Sequence, residues 1–190
     1  MTSSIHRPRA LEAIERDSRA IAFSMASEFG TGALLRALAA SKPGGSFLEL
    51  GTGTGIATAW ILDGMDSAST LHTVDSEERY VEVARRHLGG DRRVTFHVED
   101  GVAFLSNFKR ASFDFIFADT WPGKFDHLDE ALALLKGGGL YVIDDLLPQA
   151  NWPVGHGPKV EALVADLNGR AELAVSRMDC ASGIAVATRR

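Results

Sequence analysis

The chain has 190 residues, 45% hydrophobic and 24% charged, which predicts one soluble globular domain whose core needs no staples. Twenty Lys and Arg against 25 Asp and Glu leave a net charge of −5, and the basic residues are dispersed, which speaks against a nucleic-acid surface. Cys180 is the only cysteine, no apolar run reaches the ~18 residues of a membrane span, and charges between Arg7 and Arg19 leave no signal-peptide core, so a cytoplasmic chain without a membrane partner is expected.

Two helices are predicted first, over Arg9–Met25 and Thr31–Ser41, with Pro43 and Gly44-Gly45 as the break. Five strand-like runs follow: Ser46–Leu50, Ser69–Asp75, Arg93–Val98, Phe113–Asp119 and Leu140–Asp145. Helical runs lie between and after them, over Gly55–Gly64, Ser76–Leu88, Gly101–Phe108, Phe125–Leu135 and Pro158–Asn168. In the second of these, Glu77, Tyr80, Val81, Ala84 and Leu88 share one helix face, Ser76 is the expected N-cap, and Gly89-Gly90 ends the helix. Ala171–Val175 and Gly183–Thr188 read as last strands, closing the sheet as an antiparallel pair. Such alternation predicts a parallel sheet covered on both faces. The chain divides into an N-terminal helical segment, 1–43, and a sheet-bearing domain, 44–190.

The first strand runs into a glycine-rich loop, Glu49-Leu-Gly51-Thr52-Gly53-Thr-Gly55, and then a helix. Glycine lets the backbone turn sharply and a ligand approach closely, and the amides of a helix N-terminus favour negative charge. A dinucleotide fingerprint would need glycine at 56, where Ile56 stands, and Glu49 suits a pyrophosphate poorly. A cationic ligand with hydroxyls and no phosphate, such as S-adenosylmethionine, suits it better. Asp75 closes the second strand, where an acid accepts hydrogen bonds from a ribose diol. Asp100 ends the third strand and is either an adenine contact or the cap of the next helix.

The pieces Phe47–Thr58, Thr73–Ser76, Phe113–Asp119 and Leu135–Leu147 (LKGGGLYVIDDLL) together resemble class I S-adenosylmethionine-dependent methyltransferases. Within that class, Glu28 to Asp145 is similar to the small-molecule O-methyltransferases of the catechol and caffeoyl-CoA type. The resemblance implies a single Rossmann-like α/β domain with a mostly parallel seven-stranded sheet, helices on both faces and N-terminal helices. It implies an S-adenosylmethionine site formed by Glu49, Gly51, Thr52, Gly53, Gly55, Asp75, Ser76, Asp100 and Asp119. It also implies that the N-terminal segment covers the cofactor, with Met25 and Glu28 toward the methionine portion; the alternative expectations are a more open site or a lid completed in a homodimer.

Three acids fall at two strand ends: Asp119, and Asp144 with Asp145. In the resembled family an Asp and an Asp-Asn pair at these places hold a divalent metal, which would be Mg²⁺, Ca²⁺ or Mn²⁺ for hard oxygen ligands. Asp145 stands where that family has Asn. Either it tightens the metal, or no metal is held and Asp145 serves as a base. The family's lysine three residues after the strand-four Asp is Pro122 here, and Lys124 follows two residues later, as a base or a solvated loop lysine. The loop Leu147–Pro158 holds three prolines, Trp152 and His156. With Trp121, these form the expected wall for a flat acceptor. The reading is S-adenosylmethionine-dependent O-methylation of a small, phenolic hydroxyl acceptor, assisted by a divalent cation. Its competitors are a non-catalytic S-adenosylmethionine-binding module, which leaves the three acids unexplained, and an NAD-dependent oxidoreductase, which Ile56 and Glu49 disfavour.

Overall fold

Branched and aromatic residues alternate along the chain and build seven strands: β1 (Ser46–Leu50), β2 (Thr70–Asp75), β3 (Val94–Val98), β4 (Phe113–Ala118), β5 (Leu135–Ile143), β6 (Leu173–Met178) and β7 (Ile184–Arg189). The helices are α1 (Leu11–Ala20), α2 (Phe29–Ala40), α3 (Ile56–Gly64), α4 (Glu78–Leu88), α5 (Gly101–Leu105), α6 (Leu128–Ala133) and α7 (His156–Gly169). This computed structural model describes residues 6–150 and 152–190; residues 1–5 of the N-terminal segment and residue 151 of the proline-rich loop lie outside it. Among the described residues, no helix is long and apolar enough to cross a membrane.

The strand order is β3-β2-β1-β4-β5-β7-β6, with β1 to β5 parallel and β7 antiparallel to both its neighbours. The order reverses between β1 and β4, and the crevice beyond their carboxyl ends is where such sheets bind ligands. The period-two alternation feeds two cores. Phe47, Phe115, Phe117 and Val142 face α1, α2 and α3; Leu48, Ile116, Ala118, Tyr141 and Ile143 face α5, α6 and α7. The N-terminal helices are thus part of the same body: Leu11, Ile14 and Leu35 are buried with Trp60 and Ile61.

Gly32 of α2 meets the Trp60 indole of α3 so closely that a Cβ would overlap the ring. Gly32→Ala is expected to destabilise the protein by about 2–3 kcal/mol, the usual cost of overpacking, read as a lower midpoint in urea. An unchanged midpoint would mean that the two helices have room to part.

Several boundaries differ from the sequence expectation. The first helix stops at Ala20, not Met25, because Ala22 takes φ 55° and Phe23 turns back to pack edge-on against Tyr80, 4.7 Å between ring centres. Residues 23–28 then form neither helix nor strand, and residues 24–28 lie beside Asp119, Asp144 and Asp145 at the carboxyl ends of β4 and β5. The helix expected over Phe125–Leu135 is only Leu128–Ala133. Leu135 already pairs with Phe113, so β5 begins there, and a register shift follows before regular pairing resumes at Leu140. Ser76 is not the N-cap of α4. Glu77 takes that place, and its amide donates to Asp75 Oδ1 at 3.0 Å.

Candidate active site

The glycine loop is shaped by what lies behind it. Gly51 has φ 106°, and a Cβ there would stand 2.6 Å from Thr120 Cγ2 and 3.3 Å from the Asp119 carbonyl. Gly53 has φ 49° and carries the Phe23 ring, 2.8 Å from an ideal Cβ, so the N-terminal segment lies directly on the loop. Gly55 is the N-cap of α3. The Thr52 hydroxyl shares a hydrogen bond with Thr73 at 2.6 Å beneath the loop.

Glu49 is placed differently from a surface ligand contact. Its side chain is fully buried under the loop, where Oε2 accepts hydrogen bonds from the Thr58 and Thr73 hydroxyls, both at 2.6 Å. Oε1 is buried without a partner. Burial, with a smaller push from the Asp75 charge, raises its carboxyl from the usual 4.5 to about 7.

Asp75 ties the loop to the next helix: Oδ2 accepts from the Gly53 amide at 2.8 Å, and Oδ1 from Glu77. Ser76 beside it is exposed. Asp100 caps α5, with Oδ1 accepting from the amides of Val102 and Ala103 at 3.0 Å each. Its cap role is therefore structural fact, while its second oxygen faces solvent.

A cavity of about 500 Å³ opens at the ends of β4 and β5. Its floor brings together Asp119, Lys124, Asp144 and Asp145; its walls include Met25, Glu28, Trp121, Trp152 and His156. The sequence-predicted catalytic and acceptor residues therefore share one space. The glycine loop, Asp75 and Asp100 lie outside that lining, with the strap of residues 23–28 between.

Lys124 reaches the floor by a tight turn. The amides of Lys124, Phe125 and Asp126 donate to the Trp121 carbonyl, and the Gly123 amide donates to Asp126 at 2.7 Å. Gly123, φ 82°, is pressed against Leu50, and the buried Tyr141 hydroxyl donates to its carbonyl. This turn carries a side chain five residues past Asp119 to within 3.9 Å of Asp145 Oδ2, only 4% exposed. Burial pulls the Lys124 ammonium down in pKa, against the charges of Asp119, Asp145 and Asp144. Burial pushes Asp119 well up, and the neighbouring Asp144 charge adds to it. Asp144 is raised too, first by burial.

Each acid has an oxygen already held. Asp144 Oδ1 accepts from the Ser182 hydroxyl, from the Asp145 amide at 2.8 Å, and from Thr31 at 3.4 Å. Asp145, at φ 62°, accepts from Trp152 Nε1 at 2.8 Å through Oδ1. Asp119 Oδ2 accepts from Ser27 at 3.3 Å. Ser27, Thr31 and Ser182 were not among the predicted site residues. They come from the N-terminal segment and the β6–β7 turn, and no local pattern marks a hydroxyl for a carboxylate 38 to 113 positions away.

The proline-rich loop supplies the walls. The rings of Trp152 and His156 lie 4.4 Å apart, and Phe125 meets His156 edge-on at 5.0 Å. His156 is 6% exposed, neither ring nitrogen has a hydrogen-bond partner, and Nε2 stands 3.6 Å from Asp145 Oδ2. Burial lowers its pKa and keeps the ring neutral. Trp121 is half exposed and lies under the Lys159 ammonium, 3.8 Å from the ring centre.

A family model described as a methyltransferase domain matches residues 48–146, just over half of the chain. The chain belongs to that family. A Mycobacterium tuberculosis protein named "probable O-methyltransferase" is 32% identical over 117 residues, 59% of this chain and 52% of its own length. The chain thus spans about half the length of the curated relatives it matches. Among solved structures, the O-methyltransferase TomG of Streptomyces achromogenes, in complex with SAM, superposes with TM-score 0.84 at 22% identity, covering 99% of this chain and 92% of TomG. The O-methyltransferase of Bacillus cereus in complex with SAH gives TM-score 0.85 at 19% identity, covering 99% and 94%. At these identities the likeness is one of fold.

Within this methyltransferase domain, the donor set at the loop fits S-adenosylmethionine. The acids Glu49 and Asp75 flank the glycines, one Glu49 oxygen is unpartnered, and no Lys or Arg stands in the loop to receive phosphates. The floor fits a divalent cation poorly. Among the described residues no three acidic, histidine or cysteine side chains are grouped so as to hold one ion. One oxygen on each acid is engaged, and Lys124 already stands beside Asp145.

Proposed function

We propose that this chain is an S-adenosylmethionine-dependent O-methyltransferase acting on a small, phenolic hydroxyl acceptor. The observation that carries this reading is the cavity itself: an aromatic-walled space whose floor holds three carboxylates and a lysine at the ends of β4 and β5. When bound, the cofactor supplies an electrophilic methyl group; the acceptor oxygen forms the new O–C bond as the C–S bond breaks, and sulfur keeps the electron pair.

The chain's own residues do the rest. Trp152 and Trp121 sandwich a flat acceptor and exclude water. The Lys124 ammonium steadies the acceptor oxygen as it gains negative character. His156, neutral and unpartnered, takes the hydroxyl proton on Nε2 beside Asp145, whose carboxylate favours the imidazolium that forms. Phenols suit this arrangement better than aliphatic alcohols because their hydroxyl protons leave more readily. Catechols, simple phenols and aliphatic alcohols, assayed by mass spectrometry with S-adenosylmethionine, test the reading. Methylated phenols are expected, and products only from alcohols, or no product from any panel, would overturn it.

Asp75 offers the cofactor's ribose its carboxylate. Asp75→Ala is expected to weaken S-adenosylmethionine binding at least tenfold by calorimetry, in line with the loss of a hydrogen bond to a charged acceptor. Undiminished affinity would refute the role.

A further inference from the structure

We propose that the Lys124 ammonium is the resident cation of this site, standing where the resemblance to the catechol-type enzymes implies a divalent metal, so that the site works without one. This rests on the methyltransferase reading above, but its central claim concerns cation binding alone.

Placement is the first argument. Lys124 lies at the cavity floor, 4% exposed, and faces Asp145 Oδ2 at 3.9 Å; Asp119 and Asp144 line the same cavity. Buried ammonium needs carboxylates around it, and three stand here. The placement is also built. The Tyr141 hydroxyl, from β5, clamps the Gly123 carbonyl, the turn folds back through Asp126, and the Phe125 ring lies 5.1 Å from the ammonium. A solvated loop lysine would need none of this.

The second argument is charge. A divalent ion entering among these acids would have to compete with the buried ammonium for the Asp145 carboxylate, 3.9 Å away in a low-dielectric floor. The third is coordination. Trp152 holds one Asp145 oxygen, and Ser182, Thr31 and the Asp145 amide hold one Asp144 oxygen. The free oxygen of Asp145 is turned to Lys124 and His156. The aspartate at 145, in place of the resembled family's asparagine, has a direct use in this arrangement: it is the anion nearest the ammonium.

Mn²⁺ binding to the wild-type protein, followed by electron paramagnetic resonance and by thermal melting with and without EDTA, tests the proposal. No stoichiometric Mn²⁺ binding is expected, and neither EDTA nor Mg²⁺ should move Tm. One equivalent of Mn²⁺ bound and displaced by Mg²⁺ would overturn the proposal. This readout needs no acceptor, so it stands whether or not the phenol panel yields product. Where turnover is seen, it should persist in EDTA within about twofold. Abolition by EDTA with recovery on adding Mg²⁺ would overturn the proposal. Lys124→Met is expected to lower turnover roughly 100-fold and Lys124→Arg to keep a larger share, because it keeps the charge. Wild-type turnover in Lys124→Met would also overturn it.

Discussion

Glu49→Gln is expected to make the protein more stable at pH 8, by about 3 kcal/mol, while leaving it unchanged near pH 4. The Glu49 carboxyl is fully buried, two threonine hydroxyls donate to one of its oxygens, and the other oxygen has none. Burial raises its pKa from 4.5 to about 7. Between those values the folded chain keeps a proton that the unfolded chain releases. The favourable contribution is therefore complete below 4.5 and is lost as the pH rises through 7. Glutamine has the same shape, still accepts from both threonines, and never ionises. Urea unfolding at the two pH values should show the wild type losing stability relative to the variant as pH rises. If both lose it in parallel, the titrating group lies elsewhere.

Gly51→Ala is expected to lower both stability and turnover, the latter about 100-fold or more. At φ 106° an alanine is strained by roughly 1–3 kcal/mol whatever the space around it. Space is also absent: the new methyl would stand 2.6 Å from Thr120 Cγ2 and 3.3 Å from the Asp119 carbonyl. Relief requires the end of β4 to move, and Asp119 moves with it. Displacing a reacting-site group by about 1 Å costs on the order of 100-fold. Gly137→Ala is the control, since nothing lies within 4 Å of its Cβ position, and it should be nearly neutral. Wild-type turnover in Gly51→Ala would show that the β4 end has slack. Stability and turnover should be read separately, by urea unfolding and by single-turnover methyl transfer.

Much of the fold was legible because its causes are local. Phe115–Ala118 alternates between two cores, and the spacing of Val81, Ala84 and Leu88 gives one buried helix face. The end of the first helix at Ala20 was not legible, because Phe23 leaves the helix for partners, Tyr80 and Gly53, that the local sequence does not announce. The start of β5 was not legible for a similar reason: Leu135 ends the expected helix Phe125–Leu135, yet it is held in the sheet by pairing with Phe113. His72 and His97, which show no ligand spacing along the chain, stand 3.0 Å apart as diagonal neighbours on one face of β2 and β3, where His72 is opposite Thr95 and His97 opposite Val74.

The sequence by itself determined which residue types stand at the strand ends: the glycines after β1, Asp75 after β2, Asp119 after β4, and Asp144 with Asp145 after β5. Strand periodicity and the break that follows each run are enough to place them. Tertiary structure alone decided what those acids face. A Tyr141 hydroxyl bends the turn that brings Lys124 among them, and Ser27, Thr31 and Ser182 arrive from remote segments to hold their oxygens. Which charges and donors surround the three carboxylates is decided by those distant partners, since the charge at a site is the sum over everything that packs against it.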